Sequence, residues 1–449
     1  MLTSRRKFLQ SAGALALAPY CVPRAALGSR TRRAASERIT LGIIGLKKMG
    51  REHVRHLLDR GDVQIVAVCD VDSAARETQR LRVQQHYAAQ RRDGRYTGCE
   101  AYNEYERILE RPDIDAVVIA VPDHWHALIS IAAARAGKHV YCEKPLSLTI
   151  REGRAMVRAV RRYGVVFQTG SQQRSERNFR LACELVRSGY IGQVRRVHVG
   201  IGPPSQHILL PAEPVPPGFD YDRWLGPAPW APYNRLRCGS YYDDGWRRIR
   251  DYSGGKMTDW GAHYFDIVQW GLGMDDGGPV EIIPPPLGGR EPLVMPVQRD
   301  GSGASPDDPT RGLTFRYASG VEVIKDTTSG VRFVGTEGEV HVDRGQLKAQ
   351  PQSLARRLAL PEPLGPDDVH LYESPGHHAD WLNCIRTGRR PICDVEIGCR
   401  SATVCHLGNI ALWLKRPIRW DPVGEQIIGD EYAARWLDRP KRAPYRLPV

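Results

Sequence analysis

Apolar positions follow two different rhythms along the chain. From Arg38 onward, short and nearly continuous apolar runs alternate with stretches of helical period. ITLGIIG (39–45) reads as a buried strand and the stretch that follows, to about Arg60, as a helix. VQIVAVCD (63–70) and DAVVIAV (115–121) are further strands; ISIAAARAG continues as a helix, and KHVYCE (138–143) and VVFQTG (165–170) complete the series. Thr149 and Glu152 form a capping-box pair ahead of Met156, Val157 and Val160, so a helix separates the last two strands. Strands apolar on both faces and separated by helices predict a doubly wound, nucleotide-binding parallel sheet over residues 38–170.

After Gly170 the period changes. VRRVHVGI, LTFRYAS, VEVIKD, VRFVGT and GEVHVD alternate with period two and are punctuated by turn glycines. They predict a mostly antiparallel sheet in a second, α+β domain over residues 171–420. Residues 284–310, rich in Pro, Gly and Asp, read as a loop insertion, and 376–415 return to helical period. The tail, 421–449, is rich in Pro and Arg and reads as a segment wrapping back on the surface.

A length of 449 residues accommodates two such domains, and 41% apolar with 26% charged residues is an ordinary globular composition. The net charge of +13 changes this picture only at one end. Residues 1–36 hold seven Lys/Arg and no acid, so about +6 remains for the other 413 residues. No basic repeat interleaved with aromatics accompanies it, which argues against a nucleic-acid partner. TSRRKFLQ followed by the short apolar stretch SAGALALAPYCVP is similar to a twin-arginine export signal, with small residues at Ala26-Leu27-Gly28 for cleavage. Residues 1–36 are thus read as signal peptide and linker, and the twin-arginine export machinery as a partner. The rest holds no run of about 18 apolar residues, so no stable membrane insertion is expected; the signal implies a periplasmic or extracytoplasmic location, reached folded by the twin-arginine route. Of ten cysteines, nine follow the signal without C-x-x-C or a zinc rhythm; the spaced trio Cys393, Cys399 and Cys405 leaves a bridge open.

Candidate chemistry begins at GLKKMG, between the first strand and the first helix. Gly45 and Gly50 fit the first and third glycines of a dinucleotide fingerprint, while Lys47 stands at the second, with Met49 beside Gly50. Lys47 either leaves the loop and pairs with a pyrophosphate or fills its space. The loop leads into a helix N-terminus, which attracts phosphate. Asp70 ends the second strand twenty residues after Gly50, in register to accept hydrogen bonds from a ribose, and a carboxylate there repels a 2′-phosphate, favouring NAD over NADP. Glu143-Lys144-Pro145 follows another strand, at the sheet edge where ligands bind. In SGGKMTDWGAHYFDIVQWGLG, Asp259 and His263 lie four apart, an acid placed to orient an imidazole for proton removal from a carbinol.

Taken together, Gly45…Gly50, Asp70, Glu143-Lys144-Pro145 and the Gly-Gly-x3-Asp-x3-His run resemble the Gfo/Idh/MocA oxidoreductases, over essentially the whole chain after the signal. The resemblance implies a Rossmann domain plus an α/β domain with a large open sheet. It implies Lys144 as the active-site lysine, His263 as acid/base with Asp259 its neighbour, and a cis Pro145. It also places Pro122 and the His126 segment of VPDHWHA beside the cofactor. His124 and His126 offer only two metal ligands in register, and no metal is expected. His377-His378 either line the pocket or cap a helix. Gln173 and Arg174 in TGSQQRS, and Trp246 in an aromatic-rich loop with Trp224, Trp230 and Tyr233, are candidates for binding a sugar; packing is the other account of that loop.

The expected activity is an exported, NAD-dependent oxidation of a sugar, glycoside or polyol hydroxyl by a homo-oligomer. Outside the cytoplasm a free cofactor would not be regenerated, so the NAD is expected to be tightly retained and recycled within the cycle. Relatives that cleave glycosides with NAD often lack the lysine of Glu-Lys-Pro, so Lys144 tilts the reading toward oxidoreduction. The rivals are a redox-neutral glycoside-cleaving enzyme and a non-catalytic carbohydrate-binding protein whose nucleotide site Lys47 has closed.

Overall fold

The computed structural model describes residues 37–92, 96–239, 245–286 and 308–447. Residues 1–36, read above as a signal and linker, and most of residues 284–310, read as a loop insertion, lie outside the described residues. Strands β1 (Ile39–Ile44), β2 (Val63–Cys69), β3 (Glu100–Tyr102), β4 (Ala116–Ile119), β5 (His139–Cys142) and β6 (Phe167–Thr169) form one sheet. Its order is β3-β2-β1-β4-β5-β6 and every pair is parallel. All of β4 and nearly all of β1 are buried, as their unbroken Val/Ile composition requires of a sheet covered on both faces. The strand order reverses between β1 and β4, which leaves a crevice at their carboxyl ends.

The second sheet contains β7 (Val194–Gly200), β8 (Glu281–Ile283), β9 (Thr314–Arg316), β10 (Glu322–Asp326), β11 (Val331–Gly335), β12 (Glu339–Asp343), β13 (Gln346–Gln350), β14 (Ile418–Asp421) and β15 (Gln426–Ile427). Its order is β13-β12-β11-β7-β10-β9-β8-β14-β15. Only β7 and β10 pair in parallel. Alternate residues such as Val323, Val340 and Val342 enter the core, where helices Arg177–Arg187, Gly261–Gly271 and Val395–Leu414 cover one face. Phe265 meets Phe315 edge-on at 4.8 Å between ring centroids, a contact worth about 0.5–1.5 kcal/mol beyond burial. Lys325 occupies one inward position and is neutralised there by the equally buried Asp308. β8, β14 and β15 are short pieces that alternation does not single out, and β14 and β15 carry the sheet past residue 420 into the tail.

The two halves are stitched tightly. Helix Ile150–Tyr163 crosses helix Val395–Leu414 at Gly153, where a Cβ would stand 3.1 Å from Cys399 Sγ. Arg154 Nη1 donates to Glu396 Oε2 at 2.6 Å and Arg154 Nη2 to Glu425 Oε1 at 2.7 Å. Three buried imidazoles donate across the seam from Nε2: His124 to Trp224 O at 3.0 Å, His377 to Thr169 O at 2.8 Å and His406 to Ser147 O at 3.0 Å. The tail returns over the first domain, with Lys441 3.1 Å from Glu152 and Tyr445 edge-on to Trp125. All nine described cysteines are free thiols, so Cys393, Cys399 and Cys405 form no bridge.

Candidate active site

A cavity of about 450 Å³ runs from the glycine loop, along the crevice, to the second domain. At its near end the loop is drawn onto the sheet. Gly45 has φ +86°, and a Cβ on it would meet Ala120 O at 2.5 Å; one on Gly50 would meet Gly45 O at 1.8 Å. Both glycines are therefore demanded by the backbone's own close approach. Lys47 directs its side chain out of the loop to Asp72, Nζ to Oδ2 at 2.9 Å, with Phe219 beneath the ammonium. It neither fills the loop nor lies free for a pyrophosphate. The Asp72 carboxyl is pushed up by burial, but the hydrogen bond and charge of Lys47 outweigh this and hold it below its usual range.

Asp70 lies at the crevice wall, accepting from Leu46 N at 2.7 Å and Asp72 N at 2.9 Å. Burial raises its pKa against the opposing effect of these two donors and of Lys47. A carboxylate offers about four acceptor directions, so two remain for a ribose. Gly45, Lys47, Met49, Asp70, Pro122 and Glu143 all border the cavity, and Gly50 sits immediately behind the loop. A dinucleotide fits this set: a helix start and backbone amides for its phosphates, and a carboxylate for its ribose.

His126 lies elsewhere. Its ring is buried behind the wall, Nδ1 2.8 Å from Pro145 O and Nε2 2.9 Å from Val121 O, where it braces the two backbones that border the crevice. The adjoining Asp123 takes the cavity position instead, its carboxyl pushed up to about 7 by burial.

At the far end the two domains meet. The Lys144–Pro145 bond is cis. Lys144 Nζ donates to Asp259 Oδ1 at 2.6 Å and to Asp259 O at 2.9 Å, which uses two of its three N–H groups. Burial pushes the Asp259 carboxyl up, yet the charges of Lys144 and Arg247 overcome it and hold the group far below the usual carboxylate range. Arg247 Nε stands 3.6 Å from the same Oδ1.

The expected partnership between Asp259 and His263 does not form. Trp260 separates helix Lys256–Asp259 from helix Gly261–Gly271, and the carboxylate turns to the two cations. His263 is 4% exposed, and its buried Nδ1 has no hydrogen-bond partner among the described residues. Burial first, then the charges of Lys144 and Arg344, drive its pKa well below 6.5, so the ring is neutral at pH 7.

The sugar-binding candidates divide. Trp246 and His263 border the cavity. Arg174 does not: fully buried, it pairs with Asp266 at 2.7 Å and Asp275 at 2.6 Å, with Trp270 against its guanidinium, and is structural. Gln173 is equally buried, its amide donating to His263 O and accepting from Arg344 Nε, both at 3.2 Å, while its neighbour Gln172 reaches the cavity. His377 and His378 lie behind the wall; His378 Nε2 is 2.9 Å from His53 Nδ1, and His53 Nε2 donates to Glu143 Oε1 at 2.9 Å. Of the groups not anticipated, Asp72 is visible as an acid two residues beyond Asp70, whereas Arg247 lies in the one-turn 3-10 helix Trp246–Arg248 and Arg344 in the turn after β12, with no motif around either. Among the described residues no cluster of three or more His, Cys, Asp or Glu could hold a metal ion, and no helix is long and apolar enough to cross a membrane.

A parallel nucleotide-binding sheet whose switch crevice ends at a lysine–carboxylate pair and a neutral histidine defines a two-domain oxidoreductase. The chain belongs to the Gfo/Idh/MocA family: residues 39–171 match its NAD-binding Rossmann fold and 205–447 its C-terminal α/β domain. It is 30% identical over 405 residues to myo-inositol 2-dehydrogenase of Thermotoga maritima, covering 87% of this chain and 99% of that one. Among solved structures it is similar in fold to an NAD-binding protein from Listeria innocua (TM-score 0.56, 19% identity, 85% of this chain and 99% of the other). It is likewise similar to the aldose–aldose oxidoreductase of Caulobacter crescentus (TM-score 0.53, 20% identity, 85% and 99%).

Proposed function

We propose that the protein oxidises a secondary hydroxyl of a sugar or polyol with a tightly retained NAD, and that it does so outside the cytoplasm after twin-arginine export. The observation that carries this reading is His263: a neutral imidazole whose buried Nδ1 has no partner among the described residues, beside a lysine held in place by Asp259. A buried polar atom without a partner is costly, and a substrate hydroxyl would satisfy it. His263 accepts the hydroxyl proton, and the remaining N–H of Lys144 stabilises the oxygen as negative charge develops on it. Asp259 keeps the ammonium in place through both of its contacts. A nicotinamide bound in the crevice supplies the acceptor for the hydrogen leaving the carbinol carbon. The full-length likeness to a myo-inositol dehydrogenase supports a polyhydroxylated substrate. Asp70 favours NAD over NADP by repelling a 2′-phosphate. The diversion of Lys47 to Asp72 leaves the loop able to receive phosphates, against the reading of a closed, non-catalytic site.

The test is to denature freshly purified protein and assay the supernatant for NAD by mass, then to follow reduced-nicotinamide absorbance with sugars, glycosides and inositols. Lys144→Ala and His263→Ala should each abolish turnover while NAD is still recovered. Absence of nucleotide, or unchanged turnover in both variants, refutes the proposal.

A further inference from the structure

The substrate end of the cavity holds more positive charge than a neutral sugar can use. Three cations converge there: Lys144, Arg247 and Arg344. Asp259 neutralises Lys144 at 2.6 Å and stands farther from Arg247, at 3.6 Å. Glu143 is engaged by His53, and Asp123 sits on the same wall with its carboxyl raised to about 7 by burial. Asp343, next to Arg344 in sequence, is taken up by Tyr264 and Ser329; no described acid forms an ion pair with Arg344, and Glu176 feels its charge only at longer range. Two guanidinium groups are thus left without full compensation.

Both are also pre-aligned. The Arg247 guanidinium lies 4.2 Å from the Trp246 ring centroid and that of Arg344 4.7 Å from Trp260, and both indoles border the cavity. Stacking holds a guanidinium in plane while leaving its N–H edge open. Among the described residues the buried Nη1 of Arg247 has no hydrogen-bond partner, and Gln173 fixes Arg344 through Nε alone. An orphaned, buried guanidinium nitrogen is expensive unless a ligand occupies it.

We propose that the substrate carries a carboxylate, as in an aldonate or uronate, and that Arg247 and Arg344 receive it while His263 and Lys144 face the hydroxyl to be oxidised. The substrate assignment rests on the activity proposed above; the anion site itself does not. A planar carboxylate matches the free guanidinium edges, and it brings about half the charge of a phosphate dianion against the carboxyls of Asp123 and Asp259 on the same wall.

Titration calorimetry on the full protein as purified tests this, with glucuronate and gluconate against glucose, myo-inositol and glucose 6-phosphate. The carboxylated sugars should bind at least about tenfold more tightly than the neutral ones, with the advantage shrinking as salt is raised. Arg247→Gln and Arg344→Gln should each erase most of that advantage, read as the ratio of carboxylate to neutral-sugar affinity within the same variant; Arg344 is exposed, so its variant keeps the fold. Equal affinity for charged and neutral sugars, binding of the phosphate alone, no binding of either carboxylate, or an unchanged advantage in both variants each overturns the proposal. Recovered NAD and turnover of neutral polyols report on the activity separately, so the two readings fail independently.

Discussion

Acid should loosen the seam that shapes the cleft, and the effect can be sized from three imidazoles. His124, His377 and His406 are each buried, each donate across the domain boundary, and each are pushed down to about 4, chiefly by burial, from an ordinary 6.5. The folded pKa lies below the unfolded one, so between pH 6.5 and 4 the unfolded chain binds more protons, and stability falls as pH falls through that window. From pH 8 to pH 5 each ring withdraws about 2 kcal/mol, or about 6 kcal/mol for the three. Asp123 works in the opposite sense: its raised carboxyl, at about 7, takes up a proton in the folded state and returns about 3 kcal/mol over the same range. The balance of these four groups is a loss of about 3 kcal/mol, a large share of the 5–15 kcal/mol typical of a folded protein. His126, His139, His263 and His378 add to the loss, and Asp70, Glu152 and Asp266 oppose it. A single-site difference isolates the effect. His406→Gln retains a donor for Ser147 O but has no proton to take up, so guanidinium unfolding at pH 8 and pH 5 should show its pH-dependent loss smaller than the parent's by about 2 kcal/mol. Identical losses in the two proteins would refute the argument.

Four further outcomes follow from the site. Asp72→Asn keeps the cap on helix Ser73–His86, since Asn also caps, but releases the Lys47 ammonium beside the ribose position; NADP affinity relative to NAD should rise roughly tenfold, read by fluorescence titration. Arg174→Leu strands the buried Asp266 carboxylate and should cost about 3–5 kcal/mol in chemical unfolding, whereas a substrate-binding arginine would raise KM with stability intact. Gly50→Ala drives a Cβ to 1.8 Å from Gly45 O; it should destabilise by at least about 1–3 kcal/mol and empty the protein of nucleotide, measured on freshly purified material. Asp259→Asn keeps both acceptors for Lys144 but removes the charge that holds it, and should lower kcat by about 10²-fold or more with circular dichroism unchanged, checked against whichever polyol turns over.

How far the chain could be read without coordinates depended on how much of each element its own residues decide. β1, β2, β4 and β5 are buried on both faces, so their apolar runs could not belong to anything but a covered parallel sheet. Helix Ser73–His86 was silent because only Gln79 and Val83 are buried along it, leaving almost no apolar period to find. β3, β8 and β15 have three residues or fewer and owe their existence to neighbouring strands. The glycine loop was legible in outline; the direction taken by Lys47 was not, because it depends on Asp72 and Phe219 arriving from two other segments. Arg174 was misread for the same reason: nothing local announces that Asp266 and Asp275 will close over it.

The pair Asp259 and His263 shows where spacing stops being informative. A separation of four residues puts two side chains on one face only while the helix is continuous, and here Trp260 interrupts it. Once the carboxylate is free to choose, charge decides. An ammonium at 2.6 Å and a guanidinium at 3.6 Å outbid a neutral imidazole, because an ion pair in a water-poor pocket is stronger than a bond to an uncharged ring. The choice has a chemical consequence beyond geometry. A carboxylate bonded to His263 would hold the imidazole toward its protonated form, while the observed arrangement spends that carboxylate on Lys144 and leaves the histidine exposed to the repulsion of two cations. A base kept neutral by burial and by these two charges is ready to take a proton at pH 7, and the proton it takes is easily surrendered again, which suits an enzyme whose proposed cycle must run in both directions on one retained cofactor.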